Sequence, residues 1–245
     1  MLVASAVTLA LGWSTVSGPI LKPLLASVPT YGVPYLRAGL ATIGDLLVLL
    51  GLVSVAAMRS PASILRFAGF DRDARRPLLW GLASLTPSAV LAFWFAPLGQ
   101  FEVSDLLYQA IGSPVLEEII YRGLAIGILM RLCGWPFLAA ALLPATLFGL
   151  AHAAQGEAPI DIAGLVAITG FGGLLFGWLF VRWGFNLWPS ILLHVGMNAL
   201  WIVFNLGDNA IGSWFGNALR LLVIALAISL TLLLAPRSPM QNGGS

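Results

Sequence analysis

Three short clusters of polar residues interrupt stretches of the chain that are otherwise apolar. Their residue types are those that transfer protons or stabilise negative charge during catalysis. Ionisable residues inside an apolar segment are costly, so such clusters are candidates for function. The chain has only two histidines, and both belong to these clusters. The clusters are Glu117, Glu118 and Arg122 in the first, His152 in the second, and His194 with Asn198 in the third.

Helical spacing predicts which of these side chains share a face. Glu118 and Arg122 are four residues apart, so on a helix they can form a charge-assisted pair. Glu117 is rotated by about 100° from Glu118 and points to a different neighbour. His194 and Asn198 are also four residues apart and project from one face. Three helices can therefore present a carboxylate, two imidazoles and an amide to one polar pocket.

This set of groups is suited to hydrolysis. A carboxylate in a low-dielectric pocket is a competent general base for water, and a neutral histidine beside it can hold the same water. Histidine and asparagine side chains can donate hydrogen bonds to the oxyanion that develops on a carbonyl group. The alternative is a metal site, because Glu117, His152 and His194 resemble the ligand set of a catalytic zinc ion. The residue types fit both a metal-free hydrolytic site and a metal site.

The composition indicates a polytopic membrane protein. Of 245 residues 59% are hydrophobic and 9% are charged, and the mean hydropathy is +0.95. An ordinary soluble domain carries about 25% charged residues, so this chain is neither a cytosolic enzyme nor disordered. A net charge of +2 gives no basic patch, so no nucleic-acid partner is expected. The single cysteine, Cys133, excludes an intrachain disulfide and a Cys-based metal cluster.

Apolar segments of about 20 residues predict eight membrane-spanning helices in a single membrane domain, 1–245. Asp45 is the one acidic residue of the second span, where a structural role is favoured. The predicted fold is an all-α, polytopic membrane helix bundle with a catalytic cavity between spans 4, 5 and 7. The spans are 2–21, 38–58, 77–97, 110–130, 136–154, 162–181, 187–207 and about 214–235.

The distribution of basic residues predicts the orientation. The loop 59–76 is the most basic connection and is expected in the cytoplasm, which places both termini there as well. Glu117 then lies about 6 Å below the outer start of span 4, whereas His194 lies about 20 Å below the outer end of span 7. The two meet only if spans 4 and 5 protrude, or if span 7 is tilted or ends early. Access from the outer side is expected.

The motifs Glu-Glu-x-x-x-Arg, Phe-x-x-x-His and His-x-x-x-Asn, each in its own span, resemble those of the CPBP intramembrane protease family, also called the Abi or CAAX-protease family. The resemblance covers roughly 110–205, the expected catalytic core. It implies a mostly helical fold with a membrane-embedded cavity, and a bacterial inner-membrane location. Its members include the eukaryotic prenyl-protein endopeptidase and bacterial relatives linked to bacteriocin processing or immunity.

The resemblance also implies roles for the residues. Glu117 corresponds to the general base, and His152 to the residue that holds the attacking water. His194 and Asn198 correspond to the pair that stabilises the oxyanion or contacts a metal. The supporting residues of the first motif are Glu118 and Arg122. No cofactor is required by the motifs, but the family leaves open a divalent metal such as zinc.

The expected activity is intramembrane endopeptidase cleavage of a membrane-anchored, prenylated or exported peptide, with the lipid bilayer as the surrounding partner. Two other functions fit the same residues. A non-catalytic member of the family would act as a scaffold or bacteriocin-immunity protein. A proton-coupled transporter would use the buried Glu and His residues to pass protons, but its polar groups should be spread across the membrane depth.

Overall fold

A computed structural model describes residues 1–30 and 33–235, without the side chains of Gly18, Pro19 and Lys22. The C-terminus, which is predicted to be cytoplasmic, lies outside this range. Within it the secondary structure is helical, with no strand. The predicted all-α fold is therefore confirmed.

Eight helical segments follow one another in the described part of the chain, in the order predicted for the eight spans. The segment 103–131 is continuous but contains two π-helical stretches, Leu106–Gly112 and Glu118–Ile126. A short helix, Pro61–Leu65, lies in the basic loop. The segments are α1 (Leu2–Ala26), α2 (Leu36–Ala57), α3 (Arg75–Phe95), α4 (103–131), α5 (Phe137–Ala151), α6 (Pro159–Arg182), α7 (Trp188–Val203) and α8 (Trp214–Leu234).

Several of these helices are long and apolar enough to cross a membrane. Within the described residues, five satisfy both conditions: α2, α3, α6, α8, and α5 with the 3₁₀ turn that follows it. Two shorter apolar helices are Leu2–Ser17 and Trp188–Val203. The protein is therefore a multi-pass membrane protein, whereas the total of eight spans stays a prediction.

The helices pack in two groups. Residues of α1, α2, α4 and α5 supply most of one core cluster, in which Leu11, Leu49 and Leu124 are fully buried. Residues of α3, α6, α7 and α8 form a second cluster around Trp80 and Leu179. The polar residues identified in the sequence lie on α4, α5 and α7, which belong to different groups. The candidate site is therefore built where the two groups meet.

A close helix–helix contact fixes α5 against α6. A Cβ placed on Gly149 would lie 2.6 Å from the Val166 carbonyl oxygen, so this position of α5 has no room for a side chain. On the opposing helix, a Cβ on Gly173 would lie 3.1 Å from the Ala145 Cα. Small residues of this kind allow helices to approach closely in lipid. The contact holds the His152 end of α5 in a defined position.

Three helix boundaries differ from the prediction by four residues or more. The end of α1 is at Ala26, not 21, and the other two boundaries bear on the site. The helical segment α4 begins at Val103, about two turns before the predicted 110, because Glu102 and Asp105 form a capping box there. α7 ends at Val203, one turn before the predicted 207, and Asn205 has a left-handed φ of 43°. Both differences reduce the mismatch in depth between Glu117 and His194.

Candidate active site

The four residues predicted to be catalytic line one cavity of about 1230 Å³. Glu117 reaches it from α4, His152 from the end of α5, and His194 with Asn198 from α7. The cavity extends further than predicted, because residues of α6 and α8 also line it. The prediction named spans 4, 5 and 7 only. Both helices are mostly apolar, so only a few polar residues, such as Asn217 and Arg220 of α8, mark the face that lines the cavity.

The supporting pair lies behind the cavity wall. Arg122 Nη1 is 3.0 Å from Glu118 Oε1, and both side chains are almost completely buried. The ion pair predicted from the four-residue spacing is therefore present. Neither residue lines the cavity, so the pair can act on a substrate only through other side chains.

Aromatic rings enclose the Arg122 guanidinium. Its Cζ atom lies 4.4 Å from the centre of the Phe148 ring and 5.3 Å from that of Phe176. Neither Nη atom has a hydrogen-bond partner of good geometry among the described residues. Cation–π contacts with the two rings compensate part of the energetic cost of these missing hydrogen bonds. Phe148 belongs to one helix group and Phe176 to the other, so Arg122 connects the two.

His194 links the supporting pair to the cavity. Its Nδ1 lies 2.8 Å from Glu118 Oε1, and its Nε2 lies 3.9 Å from Glu117 Oε2. The ring stacks on Phe176, with 5.0 Å between the ring centres. Because Glu118 is paired with Arg122 as a carboxylate, it accepts a hydrogen bond and Nδ1 is the donor. In the neutral ring, Nε2 is then an acceptor directed towards Glu117.

His152 has a similar arrangement on α5. Its Nδ1 lies 2.8 Å from the carbonyl oxygen of Phe148, which can only accept. The Nδ1 proton is therefore donated to the backbone, and Nε2 is left as an acceptor. His152 stands at the C-cap of α5, immediately before a 3₁₀ turn. The end of the helix thus fixes both the position and the tautomer of this ring.

Glu117 and Asn198 each have a neighbour that the motifs do not contain. The Ser113 hydroxyl donates a hydrogen bond of 2.6 Å to Glu117 Oε1. The Asn198 amide donates to the Gln109 carbonyl oxygen at 3.0 Å, which leaves its second N–H free. Ser113 stands four residues before Glu117, so the same helical spacing could have identified it. The Gln109 contact joins α4 to α7 and has no local sequence signal.

The proposed metal ligands do not form a metal site as they are arranged. In the described part of the chain, no group of three His, Cys, Asp or Glu side chains comes close enough to hold an ion. His152 and His194 do have a free Nε2 and a second nitrogen held by an acceptor, as metal-bound histidines have. The separation of the donors, however, does not fit a shared ion, so no step is assigned to a metal.

The cavity lining also contains a cation near the loop before α8. Arg220 of α8 contributes this group. Its Nη2 donates a hydrogen bond of 2.7 Å to the Ala210 carbonyl oxygen, and its Cζ lies 4.2 Å from the Trp201 ring centre. These contacts hold the loop before α8 against α7.

Two tyrosines and a carboxylate lie at the end of the cavity next to α2. The Tyr35 hydroxyl donates a hydrogen bond of 2.5 Å to Asp105 Oδ1, and its ring stacks on Tyr108 with 4.9 Å between centres. The hydrogen bond raises the pKa of Tyr35, because ionisation would remove the donor and place a second negative charge beside Asp105. This contact fixes the start of α2 against α4.

Exposed apolar residues of α6 and α8 line part of the cavity. Phe171 and Leu221 line the cavity and yet expose 72% and 65% of their surface. Near the other ends of the same helices, Trp183 Nε1 donates a hydrogen bond of 3.2 Å to Thr231 Oγ1. The two helices are thus joined near their C-terminal ends, whereas the exposed cavity-lining side chains lie in the middle of α6 and the first half of α8.

The segment that carries these residues is similar to a known family of proteins. Residues 99–200 match the family described as type II CAAX prenyl endopeptidase Rce1-like. A Bacillus subtilis (strain 168) protein named "Putative membrane peptidase YdiL" is 30% identical over 101 residues. That alignment covers 41% of this chain and 37% of the relative. No solved structure matches the chain. The resemblance found in the motifs is thereby confirmed over residues 99–200, which are similar to the CPBP, or CAAX-protease, family of intramembrane proteases.

Proposed function

We propose that this protein is an intramembrane endopeptidase that cleaves a membrane-anchored peptide with a water molecule activated by Glu117. The observation that carries the proposal is the convergence of Glu117, His152, His194 and Asn198 on one cavity, with a buried ion pair behind them. Carboxylate, imidazole and amide groups at one site are the components needed for peptide hydrolysis.

Glu117 and His152 are the pair that prepares the water. Glu117 accepts a proton from the water, while the free Nε2 of His152 accepts a second hydrogen bond and orients it. The hydrogen bond from Ser113 holds one oxygen of Glu117 and leaves the other for the water. As the peptide bond breaks, Glu117 returns the proton to the leaving amine.

Asn198 and His194 stabilise the oxyanion. The free N–H of Asn198 donates directly to it. His194 can donate from Nε2 only when both ring nitrogens carry protons, because the Nδ1 proton is committed to Glu118. In that state the group formed by Glu117, Glu118, Arg122 and His194 has a formal charge of zero. A neutral cluster is the least costly arrangement in an apolar environment.

The exposed apolar residues of α6 and α8 support the proposal that the substrate is membrane-anchored. Phe171 and Leu221 provide an apolar entrance between α6 and α8, through which a lipid-attached or membrane-spanning segment can reach the cavity without leaving the bilayer. A water-soluble peptide would have no reason to enter there. Prenylated peptides and exported peptides that keep a membrane anchor both satisfy this requirement.

We also propose a cell-membrane location, with the basic loop 59–76 in the cytoplasm and both termini on that side. In a Cys133→Ser background, single cysteines at Arg72 and Glu157 test the orientation with an impermeant thiol reagent. Labelling of the Glu157 position alone in intact cells is expected. Labelling at Arg72 from outside would reverse the topology.

The experiment that tests the activity compares membrane-protein termini in cells that express the wild type or Glu117→Gln. Glu157→Gln is the matched control, because Glu157 is a carboxylate outside the cavity lining. New termini that require the wild type or the control, and are absent with Glu117→Gln, support the proposal. If all three proteins give the same termini and the same phenotype, the chain acts as a non-catalytic scaffold.

A further inference from the structure

A second, smaller cavity lies on the other side of Glu117 and His152. It has a volume of about 150 Å³, and Glu117, His152 and Phe148 line both cavities. The two polar residues thus form part of the wall between the cavities. The remaining lining of the smaller cavity comes from α1, α2, α4 and α5, namely Ser14, Thr42, Asp45, Ile120, Tyr121 and Ala151. We call this cavity the α2 chamber.

Polar groups that the proposed mechanism does not use line the α2 chamber. Ser14, Thr42 and Tyr121 contribute hydroxyl groups, and Asp45 contributes a carboxyl group. The side chains of Ser17 and Trp13 lie beside the Asp45 carboxyl group, but its buried Oδ1 atom has no hydrogen-bond partner of good geometry among the described residues. A carboxyl oxygen that is left without a well-aligned donor in an apolar helix bundle is costly unless water also binds it.

The volume of the chamber suits water. A cavity of about 150 Å³ holds about five water molecules at about 30 Å³ each. Buried water needs two to four polar partners, and the lining hydroxyls and carboxylates supply them. Genuinely empty cavities are apolar, and this one is not.

We propose that the α2 chamber is a water-binding site that supplies the water consumed in hydrolysis, and that Asp45 keeps it hydrated. This inference rests on the proposed endopeptidase function. A substrate that fills the larger cavity displaces water from it, so the hydrolytic water has to reach Glu117 from elsewhere. The α2 chamber shares Glu117 and His152 with the larger cavity, so water in it lies next to both catalytic side chains.

The reaction consumes one water molecule per turnover. The water oxygen forms the bond to the carbonyl carbon and ends in the new carboxyl group, and the C–N bond breaks. One proton passes through Glu117 to the amine, and the other leaves with the carboxyl group. A chamber of several water molecules replaces the one consumed before the product has left. Asp45 acts here as a positioning residue, because it binds water and does not touch the substrate.

Three variants test the inference in reconstituted full-length protein. Asp45→Leu fills part of the chamber and removes its carboxyl group, whereas Asp45→Asn keeps the shape and a polar amide. Thr42→Val removes one hydroxyl at almost constant volume. Glu157→Gln, outside both cavities, is the control for unrelated effects.

The first readout is kinetic. We expect Asp45→Leu to lower kcat about ten-fold or more with little change in KM, because substrate binds in the other cavity. Asp45→Asn should recover most of the lost kcat, and Thr42→Val should give an intermediate value. Wild-type kcat in Asp45→Leu would overturn the inference. If Asp45→Leu does not fold, wild-type kcat in Thr42→Val overturns it.

The second readout is independent of activity. Tyr121 has only 6% of its surface exposed, so rapid hydroxyl-radical labelling of its ring requires water in the chamber. We expect labelling in the wild type and several-fold less in Asp45→Leu. Unlabelled Tyr121 in the wild type overturns the inference. Absence of peptidase activity in the wild type and in every variant refutes the proposed function. Activity that is the same in the wild type and in Asp45→Leu refutes only the role of the α2 chamber.

Discussion

Replacing Arg122 with Met should destabilise the protein strongly, because it leaves Glu118 buried without its counter-charge. At the observed 3.0 Å, two unit charges attract by about 5 kcal/mol with an effective dielectric constant of about 20. Breaking a buried pair by removing one partner costs about 3–5 kcal/mol. The variant also loses the guanidinium contacts with Phe148 and Phe176. We therefore expect the free energy of unfolding to fall by about 3–5 kcal/mol.

The double variant Glu118→Gln/Arg122→Met separates charge from packing. It removes both charges but keeps a side-chain oxygen that accepts the Nδ1 proton of His194. Since no charge is left unpaired, it should recover at least about half of the stability lost in Arg122→Met. The exposed Arg72→Met variant is the control and should change stability by about 0.5 kcal/mol or less.

The measurement is reversible unfolding in mixed micelles with an increasing fraction of denaturing detergent, followed by tryptophan fluorescence. If Arg122→Met lowers the free energy of unfolding by less than about 1 kcal/mol, the reasoning is refuted. A loss of that size is typical of removing a solvent-exposed ion pair. A double variant no more stable than the single variant would show that packing, not the unpaired charge, determines the loss.

Three further predictions concern the protonation of the His194 ring, the need for a catalytic metal, and the entry of substrate between α6 and α8. Nitrogen NMR of labelled His194 should show a proton on Nδ1, and Glu118→Ala should abolish this preference; a ring protonated on Nε2 alone contradicts the assignment. Chelators should leave peptidase activity intact, and zinc-dependent recovery after chelation would contradict a metal-independent general base. In a Cys133→Ser background, a cross-link between cysteines at Phe171 and Leu221 should slow cleavage of a membrane-anchored substrate more than that of a short soluble peptide. Equal slowing of both would exclude entry between α6 and α8.

Local spacing predicted the parts of the site that lie within one helix. The Glu118–Arg122 pair follows from four residues of helical separation and is present at 3.0 Å. The placement of His194 and Asn198 on one face of α7 has the same origin, and both line the cavity. Such contacts depend on helix geometry, which the sequence determines locally.

Contacts between helices could not be predicted in the same way. The hydrogen bond from His194 to Glu118 joins residues 76 positions apart, and its existence depends on how α7 packs against α4. The π-helical stretch Glu118–Ile126 also changes the register of α4, and no residue type in it signals this geometry. The position of the Arg220 side chain in the cavity lining likewise depends on how the helices pack against each other.

The boundaries of the helices were predicted least well, and the reason is physical. Hydropathy identifies the part of a helix that suits lipid, whereas capping determines where the helix begins and ends. The polar residues Glu102 and Asp105 start α4 outside its apolar stretch. Asn205 ends α7 while the sequence is still apolar on both sides.

The most direct test of the central claim uses purified protein in lipid vesicles and isotopically labelled water. Wild type, Glu117→Gln and Glu157→Gln are each incubated with a membrane-protein extract, and new carboxyl termini are identified by mass spectrometry. The account predicts labelled termini with the wild type and with Glu157→Gln, and about a hundred-fold fewer or none with Glu117→Gln. Equal numbers of labelled termini with Glu117→Gln, or none with the wild type, would contradict it.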